Sequence, residues 1–462
     1  MTGNRMLHQT LFLLFYFGLL SATLSSAFVG VLLYEWLDYL PPDQVYAATL
    51  LPNYLALTAG ALTFFVWLIR EKKTVPRPLP VIMLMTALLI WVNVTSFNAL
   101  APQAAAFGWD RAVKVIGFAI LTAQMLSTRA RLEGVVWTLV LSVTYYSVPS
   151  AIKVIVSGGS GGIATGDVVE AAAGSFFGDR TILSVIMAMT LPFTLYLGRH
   201  ATLLPPRWLK WLRPAMLGVF ASLLVSLIGT FARTAVFAGG VALLMLVVRS
   251  RRKLLAVLIV AAVLLALLAF APDTWFARMD TIIHYQNDTS ATDRLAAWKW
   301  AWETTLGHPI VGGGFGVFVL DAGHIPGRPG WLEAHNIFFE TMAEHGFVGL
   351  GLFCCLIILT YRSCTLVQKR VRNREELAWA ADLARATQIA LVAFVAGGSF
   401  VSIASSPFLY LFAGITVGTR SLVERELAAT ERSSIMGPRR GRQRQGGSGR
   451  DDRISWQPAG SP

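Results

Sequence analysis

Long apolar runs alternate with short charged connections along most of the chain. A helix needs about 20 apolar residues to cross the hydrocarbon core. Runs near that length fall at 47–69, 79–97, 111–128, 132–156, 181–198, 214–231, 233–248, 254–271, 346–361, 386–403 and 407–421. A further run, 9–38, exceeds one crossing and is expected to break near Ser25-Ser26. The pattern predicts an all-α polytopic membrane protein with about twelve transmembrane helices. No internal repeat is evident, and no matched pair of broken helices of the kind inverted-repeat transporters use. Two connections are long. Residues 157–180 open on Ser157-Gly158-Gly159-Ser160-Gly161-Gly162. Residues 272–345 are too long for a plain linker and too short for a domain with its own large core. That segment is expected to pack on the membrane domain and to contain short helices. The chain therefore divides into N-terminal transmembrane helices (1–271), a large loop (272–345), C-terminal transmembrane helices (346–423) and a tail (424–462). The tail is rich in Arg, Gly, Ser and Pro, and is expected to be disordered and within reach of anionic lipid.

Composition agrees with the pattern. Of 462 residues, 55% are hydrophobic and 14% charged, with a mean hydropathy of +0.58. A soluble fold cannot hide that much apolar surface. The net charge of +13 invites a nucleic-acid reading until its distribution is seen. Thirty of the 39 Lys and Arg lie at Arg5, at Arg420, in the tail, or in the connections 70–78, 129–133, 199–213, 249–253 and 362–385. The alternate connections hold seven: Arg111, Arg180, Arg233, Arg278, Arg294, Lys299 and Arg328. Lys and Arg concentrate in cytoplasmic connections, so both termini are expected in the cytoplasm, with 157–180 and 272–345 facing outward. The charge is then a topology signal, and no nucleic-acid partner is expected. Cys354, Cys355 and Cys364 form no CxxC pair, and no zinc-spaced His/Cys cluster occurs, so neither a disulfide framework nor a metal is expected.

Candidate chemistry gathers on the outward side. Trp331 to Gly346 carries titratable residues at helical spacing, with Phe338, Phe339 and Met342 on one side and Glu340 and Glu344 elsewhere. Such a helix can lie at the membrane interface and hold His335 at its N-terminal end. Histidine titrates near neutral pH and can accept a proton from a hydroxyl. Taken alone, His335 reads equally well as a helix cap or an interfacial hydrogen-bonder. His345-Gly346 reads as a helix C-terminus. Arg233 interrupts an apolar run, where an arginine costs roughly 2.5–3.5 kcal/mol at mid-membrane. Its guanidinium suits phosphate or diphosphate, and the alternative is a topology anchor. Arg294 begins a Trp-rich helix in which Trp298 and Trp302 share a side, as in an interfacial belt or a sugar-stacking face. Gly312-Gly313-Gly314-Phe315-Gly316 permits a tight turn or close backbone approach. Arg180 follows Asp179, with which it can simply pair. One base with several arginines suits departure of a diphosphate held without a metal.

The order of these motifs is informative: Arg233-Thr234-Ala235, then Arg294 with Trp298, then Gly312-Gly313-Gly314-Phe315, then Ala334-His335-Asn336 and Glu344-His345-Gly346-Phe347-Val348-Gly349-Leu350. It resembles the O-antigen ligase and polymerase superfamily of bacterial envelope glycosyltransferases. The stretch Gly30 to Tyr39 resembles a subgroup of O-glycosylation ligases linked to exosortase and exopolysaccharide systems. The chain departs from the family in reading Asp179-Arg180-Thr181 where an Asn-rich motif is frequent. The resemblance implies a GT-C-like helical fold in the bacterial inner membrane, with the large loop periplasmic. It implies transfer of a glycan from an undecaprenyl-diphosphate carrier to a hydroxyl of a glycan, lipid or protein, without metal, nucleotide or other cofactor. Carried over, His335 matches the essential histidine, and Arg233 and Arg294 match the diphosphate-binding arginines. Arg180, Asn336 and Glu340 complete the expected substrate-binding set. A transporter or flippase for lipid-linked sugars is the alternative. It would need charged residues along a path through the bilayer, where only Lys114, Lys153 and Glu35 are candidates.

Overall fold

A computed structural model of the chain describes residues 2–40, 54–73, 78–157, 179–230, 232–250, 289–321 and 333–436, with scattered positions in 252–265. Every described element is helical. In chain order they are α1 (Thr2–Thr23), α2 (Ala27–Tyr39), α3 (Leu55–Arg70), α4 (Leu79–Phe97), α5 (Pro102–Met125), α6 (Arg129–Val156), α7 (Arg180–His200), α8 (Pro206–Gly229), α9 (Arg233–Arg249), α10 (Thr289–Gly307), α11 (Ile337–Arg370), α12 (Ala378–Gly398) and α13 (Pro407–Met436). Short 3-10 turns cover Val317–Asp321 and Glu375–Leu377. Residues 1–423 form one compact unit and 424–462 a second.

Six of these helices are long and apolar enough to cross a membrane: α4, α6, α7, α8, α11, and α12 taken with its leading turn. At 1.5 Å per residue, the 19 residues of α4 span about 28 Å, close to the hydrocarbon thickness. Its hydrophobicity runs all round the helix, yet Met83, Ile90 and Phe97 are exposed. A helix of that kind needs an apolar solvent on its open face. The protein is an all-helical polytopic membrane protein.

α7 is the centre of the bundle, packed against α6, α8, α9 and α12. Its burial follows from a side-chain set that is apolar on every face, Ile182 to Leu197, with Ser184, Thr190 and Thr194 as the buried polar exceptions. Each of those three hydroxyls donates back to a carbonyl in its own helix, which removes the cost of burying it.

Several boundaries differ from the hydropathy reading. The break expected near Ser25-Ser26 falls between Thr23 and Ala27. The crossing predicted at 111–128 begins nine residues earlier, at Pro102, whose ring suits a first helical turn. Within it Lys114 is no buried charge: it pairs with Asp110 at 2.7 Å on an exposed face. The crossing predicted at 386–403 stops at Gly398, and 399–406 form a non-helical loop. The tail, expected to be disordered from 424, is helical through Met436. The crossing at 254–271 and the glycine-rich segment after Ser157 lie largely outside the described residues.

Candidate functional site

α11 is two helices joined at a bend. Gly346 has φ 68° and ψ −173°, a conformation essentially reserved for glycine. The first arm, Ile337–His345, carries the candidate histidine on its leading edge. The expectation of an amphipathic helix on the membrane surface is corrected here, because Ile337 and residues 341–346 are all buried, the acid Glu344 among them. A helix so placed must find partners for its free backbone groups within the protein, and it does so at both ends.

At the N-terminus Asn336 is the cap. Its Oδ1 accepts from the N–H groups of Phe338 (2.9 Å) and Phe339 (3.3 Å), and its Nδ2 donates to the Ser399 carbonyl at 3.0 Å. Asn336, expected to bind substrate, is 7% exposed and spends its amide on this backbone. At the C-terminus four carbonyls would be orphaned. Thr305 Oγ1 donates to Met342 O, Gly313 N to Ala343 O, Gly314 N to Glu344 O and Trp91 Nε1 to His345 O, at 2.8–3.2 Å. The glycine cluster is thus a strap drawn across the end of the helix. Gly312, Gly314 and Gly316 all have positive φ. A Cβ on Gly312 would stand 2.5 Å from Gly346 N, and one on Gly346 would stand 2.2 Å from Ile310 O. Gly316 N also donates to Glu344 Oε1 at 2.9 Å. His345 does not act as a terminal cation. Its ring is buried edge-on against Phe315, with Nδ1 2.8 Å from Thr95 Oγ1.

The Trp-rich helix α10 braces the same arm. Trp298 stacks flat on Phe339 with ring centres 5.1 Å apart, and its Nε1 donates to Ala334 O at 2.7 Å. Trp298 therefore packs within the protein, whereas Trp302 remains 47% exposed and touches Phe347 edge-on. Ala301, Val317, Phe318, Ala334 and Ala343 form a small core beneath the strap.

His335 sits between these supports. Among the described residues it is the one non-glycine with positive φ, at 45°. That conformation costs roughly 1–2 kcal/mol for an L-residue and recurs at functional positions. Its N–H donates to Ser402 Oγ at 3.0 Å, from the loop that replaced the end of the predicted crossing. Its side chain keeps 37% exposure, and the nearest carboxylate, Glu333 Oε2, is 3.8 Å from Nδ1, too far for a hydrogen bond. Burial holds the imidazole below the ordinary histidine value of 6.5; Glu333 opposes that, Arg294 reinforces it and Asp179 opposes it. Arg294 and Asp179 are therefore close enough to act on His335 electrostatically.

Asp179 caps α7, its Oδ1 accepting from Thr181 N, which brings Arg180 to the same end of the bundle. Arg233 heads α9. One turn on, Phe237 stacks on Phe400 at 4.8 Å, in the loop that receives Asn336 and His335. The loop also supplies Ala404 N, which donates to Glu340 Oε2 at 3.4 Å. Sequence reasoning missed Ser399, Ser402, Trp91 and Thr95. All four lie in or beside apolar runs with no local motif. No cluster of three or more His, Cys, Asp or Glu able to hold a metal ion occurs among the described residues.

The chain is similar to two known families. Residues 7–202 match a family of unknown function (DUF5935), and residues 217–354 match the O-antigen ligase family. No curated protein matches the chain. Arg233, Arg294 and His335 all fall within the second match, while Asp179, Arg180, Trp91 and Thr95 fall within the first. The ordered motifs and the match agree: residues 217–354 form an O-antigen ligase family domain, which supports the O-antigen ligase and polymerase superfamily.

Proposed function

We propose that the chain transfers a glycan from an undecaprenyl-diphosphate carrier to an acceptor hydroxyl, as an O-antigen ligase or exopolysaccharide polymerase, at the periplasmic face of the bacterial inner membrane. Its family supplies the broader statement, a glycan ligase or polymerase role in the membrane. In the reaction the acceptor hydroxyl gives its proton to His335 as its oxygen attacks the anomeric carbon. The bond from that carbon to the diphosphate oxygen breaks, and the departing diphosphate takes the electron pair. Arg233 and Arg294, with Arg180 beside them, stabilise its charge, so neither metal nor nucleotide is needed. Asn336 holds the histidine in place rather than touching substrate, and Glu340 braces the facing loop. The chain crosses the bilayer about twelve times with both termini cytoplasmic, in keeping with the charge of its connections.

The observation that carries this reading is the state of His335. It is held in a left-handed backbone conformation by Ser402, its side chain is open, and burial favours its neutral, proton-accepting form. The test is His335→Ala, expressed at wild-type level. It should accumulate lipid-linked glycan and make no polymer or ligated product. Normal product from that variant would overturn the assignment.

A further inference from the structure

Beside the first arm of α11, against Phe315 of the strap, lies a small cleft. Its walls are apolar (Leu88, Val92, Ile116 and Phe353 among them), but Glu344, His345, Ser405 and Tyr410 also line it. Its volume is about 20 Å³, enough for one water and little else.

The polar groups around it are incompletely satisfied. Glu344 is 7% exposed, and its Oε1 is taken by Gly316 N. Its Oε2 lies 4.0 Å from His345 Nε2, beyond hydrogen-bond reach. Thr95 Oγ1 is 3.1 Å from the Val92 carbonyl. Donating there, it accepts from His345 Nδ1, which leaves Nε2 with a bare lone pair. Burial pushes the Glu344 carboxyl up to about 8, so at neutral pH its Oε2 carries a proton, and the cleft presents a donor and an acceptor 4.0 Å apart. Tyr410 is 3% exposed and lines the same cleft, where its hydroxyl can donate. A polar gap of this width between buried groups is the setting in which bridging water is found.

We propose that the cleft holds one resident water, which donates to His345 Nε2 and accepts from Glu344 Oε2 and Tyr410. An oxygen about 2.8 Å from both atoms closes the gap. The water ties the arm that carries His335 to α13, and it makes Tyr410 a positioning residue for the transfer. That last step rests on the proposed function, whereas the water site does not.

The experiment is a cryo-EM map of the full chain in nanodiscs of synthetic lipid, which contain no glycan, beside one in discs cut from native membrane. The expected result is density for one oxygen between Glu344 and His345 in both maps, lost in Tyr410→Phe. That variant should lower kcat about threefold to tenfold, the effect of one neutral hydrogen bond, with KM unchanged. An empty cleft in both maps overturns the site. Density in the native-membrane map alone also overturns it and assigns the cleft to substrate. An unchanged kcat in Tyr410→Phe overturns the positioning role. Activity in His335→Ala would defeat the reaction while leaving the density in place.

Discussion

Where α6 begins and α7 finishes, charge meets charge. Arg131 grips Glu71 at 2.7 Å, Asp382 receives His200 at 2.8 Å and also pairs with Arg385, and Arg129 donates to the His200 carbonyl while lying over Trp379. The carboxylate of Glu133, 0% exposed, anchors the loop between α7 and α8, accepting from Thr202 N, Thr202 Oγ1 and Leu203 N as well as from Trp137. At the opposite end, where α7, α9, α11 and α13 begin, the described supports are backbone and neutral side chains (the Asn336 cap, the glycine strap, Trp91, Trp298 and Ser402), and the acids Asp179, Glu340 and Glu344 each accept from a backbone N–H. The first arrangement uses its ionisable groups to hold the bundle. The second holds itself by other means and leaves the imidazole of His335 without a hydrogen-bonded carboxylate. A bundle that needed His335 for its own stability would have no base to offer a substrate.

This contrast can be broken most severely at the bend. Gly346→Ala would place a methyl 2.2 Å from the Ile310 carbonyl in a backbone conformation closed to alanine. Strain of about 1–3 kcal/mol adds to the clash, and folded yield by fluorescence-detected size exclusion should collapse. Gly351→Ala, with nothing within 4 Å of the added carbon, should match the parent. Glu133→Ala comes next. Losing a buried carboxylate that accepts several hydrogen bonds should cost about 3 kcal/mol, read as a lowered Tm, while the transfer rate per folded molecule stays within about twofold. Asn336→Ala should do the reverse. Loss of the cap costs only about 1 kcal/mol of stability, but His335 is its chain neighbour, so transfer should fall further than Tm suggests. Equal losses of rate in Glu133→Ala and Asn336→Ala would erase the distinction between the two ends.

Much of the architecture was legible because a bilayer imposes one repeated rule. The 79–97 run became Leu79–Phe97, and 233–248 became Arg233–Arg249. Errors arose where local pattern and tertiary role part company. Ser399 and Ser402 sit in a stretch apolar enough to read as a crossing, yet they lie in a loop where the Ser399 carbonyl accepts from Asn336 and the Ser402 hydroxyl from His335. Trp91 and Thr95 looked like ordinary residues of a span, and their partner His345 is some 250 positions away, so no periodicity marks them. The glycine cluster was readable as a close approach because positive φ is a property of the residue itself, but what it approached was not. Asn336 is the opposite case: an Asn beside a candidate base looks like a ligand for substrate, and the cap bonds engage both ends of its amide.

The smallest effect concerns the charge on His335. Burial is the largest influence on His335 and lowers its pKa, so at neutral pH the ring is unprotonated and free to accept a proton. As pH falls through that lowered pKa the imidazole charges, the base is lost, and the acid limb of kcat/KM should lie below the ordinary histidine range. Glu333 works against burial, because its carboxylate favours the charged ring. Glu333→Gln should therefore move the acid limb to still lower pH, leaving the rate at pH 8 unchanged. Removing a carboxylate from the other end, in Glu71→Gln, breaks the contact with Arg131 and should leave the limb where it was. If both variants shift the profile alike, the limb reports the net charge of the protein and not His335. If only Glu333→Gln shifts it, and downward, the titrating group lies beside Glu333, where the imidazole is.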